Sequence, residues 1–263
     1  MLVNTKAILD KLHNFIGNDP FDYCVIDNFF EQDIANALES EFPDYDSDVW
    51  YKYDNPLENK KALNNWNIFP KVTYQVFNYL NSQEFISFLS NAIGFKHNLY
   101  SDIGLNGGGW HIHGRGGKSN IHLDYSIHPK LGLQRKLNII VYLNHSWKKE
   151  WGGSLGLWSS DENGKPKNLE KEIEPIFNRA VVFDTTQNSW HGLPDPIKCP
   201  KNIYRKSIAV YYLCDPQNGV DTREKALFAP TDEQKNDDEV LALIKSRAQS
   251  SIASMVYQTS KGK

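Results

Sequence analysis

From Asn98 to Leu213 the chain is a succession of short β-rich segments broken by turns containing Gly, Pro and Asn. No segment is long enough to bury a face by itself. The segments must therefore pair with one another, and the pattern predicts an antiparallel barrel or sandwich. Helical periodicity is confined to the flanks. Ala7, Ile8, Leu12, Phe15 and Ile16 predict a helix within residues 4–16, and Ile34, Ala35, Leu38 and Phe42 a second from Glu31 to just before Pro43. The apolar positions between Pro70 and Ile93 predict two consecutive helices parting at Asn81-Ser82. Thr231, with Gln234 three residues on, has the form of a capping box ahead of Val240, Leu241, Leu243 and Ile244. The expected class is mainly β with flanking helices (α+β). We expect one domain over residues 1–263, with a helical part over about 1–95, a β core over about 96–215 and a helical extension over about 216–263.

Polar stretches punctuate this plan. Asp44 to Asn65 has little period and reads as a long loop, a lid or substrate edge. Asp161 to Glu174 reads as a solvated hairpin loop, and Ser260 to Lys263 as a frayed end. Gly107-Gly108-Gly109 and the group Gly114, Gly116 and Gly117 read as turns. Neither follows a strand and opens a helix, as a phosphate-binding loop must, so a nucleotide site is rejected.

Within the β region stands His122-Leu123-Asp124, followed much later by Trp190-His191-Gly192 and then Arg205-Lys206-Ser207. Residues two apart on a strand point the same way, so His122 and Asp124 can grip one ion while Leu123 faces the packing. His191, at the end of another β segment, can supply a third ligand. Two imidazoles and one carboxylate bind ferrous iron on one face and leave the opposite face open. An H-x-D tripeptide or a lone histidine occurs often by chance; the constellation carries the reading.

Three framework features accompany these residues: the segment Asn138 to Asn144 ending in Tyr-Leu-Asn, the turn Gly152-Gly153-Ser154-Leu155, and the opening stretch Tyr23 to Phe30. Together they resemble the iron(II)- and 2-oxoglutarate-dependent oxygenases, within them the prolyl-4-hydroxylase-like branch, over about residues 20–215. The resemblance implies a double-stranded β-helix (jelly-roll, cupin-like) core. It implies Fe(II), 2-oxoglutarate and O2 as cofactors, with ascorbate a candidate accessory, and His122, Asp124 and His191 as metal ligands and catalytic centre. It further implies hydroxylation with release of succinate and CO2. Halogenating relatives lack the carboxylate that Asp124 provides.

Arg205 is the implied partner of the distal carboxylate of 2-oxoglutarate, a pairing suited to a forked guanidinium. Alternation puts Arg205, Ser207 and Ala209 on one face and Lys206, Ile208 and Val210 on the other, so Ser207 can add a hydroxyl contact. Asn138 shares a face with Ile140 and Tyr142 and matches a position that faces the cosubstrate in relatives. Arg135 and Lys136 read as exposed loop charges. One departure stands out: many relatives carry a tyrosine nine residues before the first ligand, where this chain has His113. His111 and His113 have one parity. One of them is a cosubstrate or substrate contact, or both are polar lining.

The formal charge of −3 leaves no basic footprint for a nucleic acid. Cys24, Cys199 and Cys214 have no paired spacing, and no run approaches the length of a membrane span, so a cytoplasmic protein is expected. A homodimer stays open. A cleft lined by Trp110, Tyr125 and Trp158 could accept a peptidyl proline, a small molecule or a glycan. Two other readings stay open as well: a non-catalytic cupin-like module that binds metal or ligand, and a cupin-type isomerase or ring-cleaving enzyme supported by His111-Ile112-His113 alone.

Overall fold

The computed structural model describes residues 1–248. Its N-terminal part runs α1 (Thr5–Leu12), β1 (Tyr23–Ile26), α2 (Gln32–Ser40), β2 (Tyr51–Asn55), β3 (Glu58–Leu63), α3 (Lys71–Leu80) and α4 (Gln83–Ile93). The β core follows as β4 (Tyr100–Ser101), β5 (Gly109–His113), β6 (Lys118–Ser119), β7 (His122–Leu123), β8 (Gln134–Tyr142), β9 (Leu155–Ser160), β10 (Pro166–Ile173), β11 (Ala180–Asp184), β12 (His191–Gly192) and β13 (Arg205–Cys214). Then come β14 (Leu227–Phe228) and α5 (Asp238–Ala248).

Two antiparallel sheets face each other, as a jelly roll requires. The larger has nine strands, in the order β1-β11-β8-β13-β5-β3-β2, with β4 on β13 and β6 on β3; the smaller has the order β10-β9-β12-β7-β14. The outer face of the large sheet buries Ile139, Val141, Val182, Ile208 and Val210 against the four N-terminal helices. The first helix is shorter than expected: α1 stops at Leu12, leaving Ile16 exposed, while Phe15 still packs into the core. Asn4 and Ser82 cap α1 and α4 by accepting from Ala7 N and Phe85 N, and Gly94 closes α4 in the left-handed region.

Three expectations are corrected. The stretch Asp44 to Asn65 is not a plain loop: half of it is the β2–β3 hairpin, which extends the large sheet through Lys61–Leu63 against β5. Its polar composition hid the pairing because an edge hairpin exposes alternate residues to water. Asp161 to Glu174 is a solvated hairpin as expected, but as a tight turn followed by β10, a charged edge strand, and not as a loop. The extension after residue 215 is not only helical. Its β14 joins the small sheet beside β7, and Thr231 and Gln234 form the capping box on a single 3-10 turn ahead of α5. The expected fraying of Ser260 to Lys263 lies outside the described residues. No helix among the described residues is long and apolar enough to cross a membrane.

Candidate metal centre

β7 and β12 pair so that His122 and His191 are direct cross-strand partners. Their rings lie 4.3 Å apart between centroids. Asp124, one residue past β7, turns its carboxylate between them, with Oδ1 3.9 Å from His122 Nε2 and Oδ2 3.9 Å from His191 Nε2. One ligand atom from each residue lies within 4.8 Å of the others, and this is the only such cluster among the described residues. Leu123 points the other way, into packing with Trp158, Trp190 and Ala229.

Tautomer and charge state favour a metal. His122 Nδ1 donates to Asn120 O and His191 Nδ1 to Ser189 O, both at 2.8 Å. Carbonyls only accept, so each Nδ1 holds the proton and each Nε2 offers a lone pair to the cavity. Burial, reinforced by the neighbouring imidazole, pushes His122 down to about 3. Burial lowers His191 too. Burial alone would raise Asp124, but the Arg135 guanidinium at 3.1 Å, with the two histidines, holds its carboxyl well below the usual range. All three candidate donors are thus in their metal-binding forms at neutral pH.

Arg135 is the residue that sequence reasoning missed. It is 2% exposed, with its guanidinium carbon 3.5 Å and 3.4 Å from the ring centroids of Tyr125 and Tyr211, and it donates to Asn106 O. Pairing along β8 and β13 slips by one between Tyr212↔Leu137 and Leu213↔Arg135, leaving Lys136 as the extra residue. That bulge reverses the alternation, so Arg135 joins Asn138 on the cavity side. Lys136 is buried elsewhere against Asp184, at 2.5 Å. Neither is a loop charge.

The other candidates converge on one cavity of about 410 Å³ lined by His111, His113, Asn138, Arg205 and Ser207 among others. Asn138 Nδ2 donates to Asp124 Oδ2 at 3.3 Å. β5 pairs with β13 so that His113 faces Arg205 across the strands and His111 faces Ser207. Arg205 is buried, donates Nε to Gly153 O at 2.7 Å, and lies over the Tyr142 ring at 4.8 Å. The left-handed φ of +78° at Gly153 permits this approach, since an added Cβ would stand 3.1 Å from Arg205 Cδ. Lys206 points away and pairs with Glu39. Both ring nitrogens of His113, the Tyr142 hydroxyl and Asn138 Oδ1 are buried without a hydrogen-bond partner. Burial, then the Arg205 and Lys60 charges, lower His113; burial, then Lys60 and Arg205, bring His111 to about 3. Native interiors rarely leave so many polar atoms unpaired, and a polar ligand would satisfy them.

The expected cleft of Trp110, Tyr125 and Trp158 is only partly present. Tyr125 lines the cavity, but Trp110 is wholly buried beside Phe42, Trp50 and Phe69, and Trp158 packs on Trp190. The cavity is lined as well by Tyr51, Tyr53 and Lys60 from the β2–β3 hairpin and by Phe228 and Arg247 from the C-terminal segment. Phe228 pairs with His122 in register and stacks on its ring at 5.0 Å.

Residues 108–213 match the family model of the 2OG-Fe(II) oxygenase superfamily. Among curated proteins, the chain is 26% identical over 184 residues to a prolyl 3-hydroxylase, OGFOD1, of Mus musculus, spanning 67% of this chain and 30% of that one. It is 39% identical over 72 residues to the Xenopus laevis protein of the same name, spanning 26% of this chain and 14% of that one. The chain thus spans less than a third of the length of either relative. A Pseudomonas putida prolyl-4-hydroxylase structure superposes with a TM-score of 0.55 at 15% identity, over 78% of this chain and 99% of that chain. A Trichoplax adhaerens prolyl hydroxylase in complex with a hypoxia inducible factor peptide fragment gives 0.52 at 19%, over 80% and 88%. The resemblance read from the sequence is borne out, as is the jelly-roll class.

Proposed function

We propose that this chain, whose residues 108–213 match the 2OG-Fe(II) oxygenase superfamily, is an iron(II)- and 2-oxoglutarate-dependent hydroxylase acting on a peptidyl proline or a small molecule. The observation that carries the reading is the pairing of a three-donor cluster with a buried guanidinium across one cavity. His122, Asp124 and His191 would hold the metal on one face. Iron(II), 2-oxoglutarate and dioxygen together supply C–H hydroxylation with release of succinate and CO2.

Each protein group has a part that follows from its placement. Arg205, whose guanidinium lies over the Tyr142 ring, receives the distal carboxylate of 2-oxoglutarate. The unpaired ring nitrogens of His113 and the hydroxyl of Tyr142 stand beside that position, and His113 takes the place of the tyrosine common in relatives. Ser207, Asn138 and His111 line the same cavity, and His111 feels the charges of both Lys60 and Arg205. Arg135 and Asn138 orient the Asp124 carboxylate. Leu155, Leu193 and Ile140 supply apolar lining to the cavity.

In this reading residues 1–263 act as one unit on a small-molecule or peptide substrate, with neither nucleic acid nor membrane as partner. Three buried free cysteines fit a reducing compartment such as the cytoplasm. The test is succinate formation from 2-oxoglutarate with Fe(II), O2 and ascorbate as reductant, against a peptide and metabolite panel scored for an oxygen-atom mass gain. Metal and 2-oxoglutarate binding without succinate would replace the hydroxylase with a cupin-like binding module.

A further inference from the structure

One buried acid takes no part in the site as described. Asp102, in the connection from β4 to β5, is fully buried and uses its two carboxylate oxygens separately. Oδ2 accepts from Asn106 N at 2.8 Å, while Oδ1 faces Nε2 of the buried His128, in the connection from β7 to β8, at 3.4 Å. A buried carboxylate is costly unless donors meet it. The tautomer of His128 supplies one. Its Nδ1 accepts from Lys130 N at 3.2 Å and from Leu131 N at 3.1 Å. Backbone N–H groups only donate, so the ring proton sits on Nε2, the atom that faces Asp102.

Both connections lead to the metal centre. In the first, Asp102 O accepts from Leu105 N and holds Leu105 at a left-handed φ of +47°, which a branched side chain rarely adopts. The turn presents Asn106 O to Arg135 Nη2 at 2.9 Å. Gly107 leaves room for the guanidinium, since a Cβ there would stand 3.2 Å from Nη2. The second connection runs from Asp124 to Leu133, so it carries the carboxylate ligand at its start and delivers Arg135 just after its end. His128 closes it, donating N–H to Leu133 O and accepting at O from Gly132 N. Between the two ends lies Tyr125, edge-on to His128 at 6.0 Å and under the Arg135 guanidinium at 3.5 Å.

We propose that Asp102 and His128 are positioning residues for the metal centre: joined to each other, they clamp the two connections so that the Arg135 guanidinium is held on the Asp124 carboxylate. The inference rests on the metal-centre reading above. The path is short and buried throughout, from Asp102 through Asn106 to Arg135, and from Arg135 to Asp124 Oδ1 at 3.1 Å. Releasing either turn removes the carbonyl that aims Arg135, and the Asp124 carboxylate is then free to turn away from the two histidines. Neither Asp102 nor His128 lines the cavity, so neither acts on substrate directly.

The test is a double-mutant cycle on the full chain, read by Co(II) affinity in calorimetry and by the visible absorption bands of the bound Co(II). Asp102→Asn keeps the volume and one acceptor for Asn106 N but sets an amide N–H against the N–H of His128. His128→Phe keeps a ring beside Tyr125 and removes that N–H. Asp102→Ala removes the clamp outright. Each should weaken Co(II) binding by about five-fold or more, below the roughly 10–100-fold of a partner that touches the ligand itself, and should move the bands. In an Arg135→Met background the same changes should cost less than about two-fold, because the residue through which they act is gone. Melting curves check folding; if Asp102→Ala does not melt cooperatively, the two volume-conserving variants decide the matter. Losses of equal size in both backgrounds overturn the proposal, as does a lowered melting temperature with affinity and bands unchanged. A native chain that binds no Co(II) would instead overturn the metal-centre reading.

Discussion

The large and small sheets build the same cavity by different means. In the large sheet β8 and β13 run nine and ten residues, and the cavity-lining side chains Asn138, Arg205 and Ser207 project from them by simple alternation. In the small sheet His122 and His191 sit on strands two residues long, held by carbonyls of Asn120 and Ser189 and by the stacked ring of Phe228. Long strands fix direction through their own ladder. Short ones borrow it from whatever lies beside them, so residues next to a ligand matter more there than residues next to Arg205.

The strongest test of this contrast is removal of a ligand. His191→Ala should weaken Co(II) or Mn(II) binding by well over about 100-fold, beyond what loss of an outer partner costs, as read by calorimetry. Metal affinity within ten-fold of the parent would remove the site from this pair of strands. Next in size is Arg135→Met, which leaves Asp124 without its cation and should cost about 10–100-fold in metal affinity. If only the melting temperature falls, Arg135 is a packing residue between Tyr125 and Tyr211 and nothing more.

In the large sheet the sharper comparison is between neighbours. Arg205→Ala should raise the dissociation constant for 2-oxoglutarate by about ten-fold or more, matching loss of a charge-assisted pair of about 1.5–3 kcal/mol. Lys206→Ala, which breaks the partly exposed link to Glu39 and the contact over the Phe42 ring, should change it by less than about two-fold. Equal effects would mean that alternation does not decide which of the two cations binds 2-oxoglutarate. Smallest is Thr231→Ala, which removes the capping box beneath α5 and should cost about 1 kcal/mol of stability. A loss of metal affinity in that variant would extend the dependence of β7 from its neighbour β14 to the segment behind it.

Most helices and the direction of β13 were legible because their signals are local. The split of α3 and α4 at Asn81-Ser82 lies in a break of period and a serine cap, and Arg205 against Lys206 is decided by alternation along one uninterrupted strand. The β2–β3 hairpin was not legible, because Lys52, Lys60 and Lys61 look like loop residues until a sheet edge is placed beside them.

What the sequence alone determined is the chemistry on offer: two imidazoles, a carboxylate and a guanidinium, with the direction of Arg205 following from period-two backbone geometry. What only the tertiary structure decided is which other charges join them. Arg135 turns inward because β8 carries one residue more than β13 can pair, and Lys60 and Arg247 meet at Glu58 because an edge hairpin and a C-terminal helix close on one cavity. A bulge or a long-range meeting is a property of two partners, and neither strand encodes it by itself.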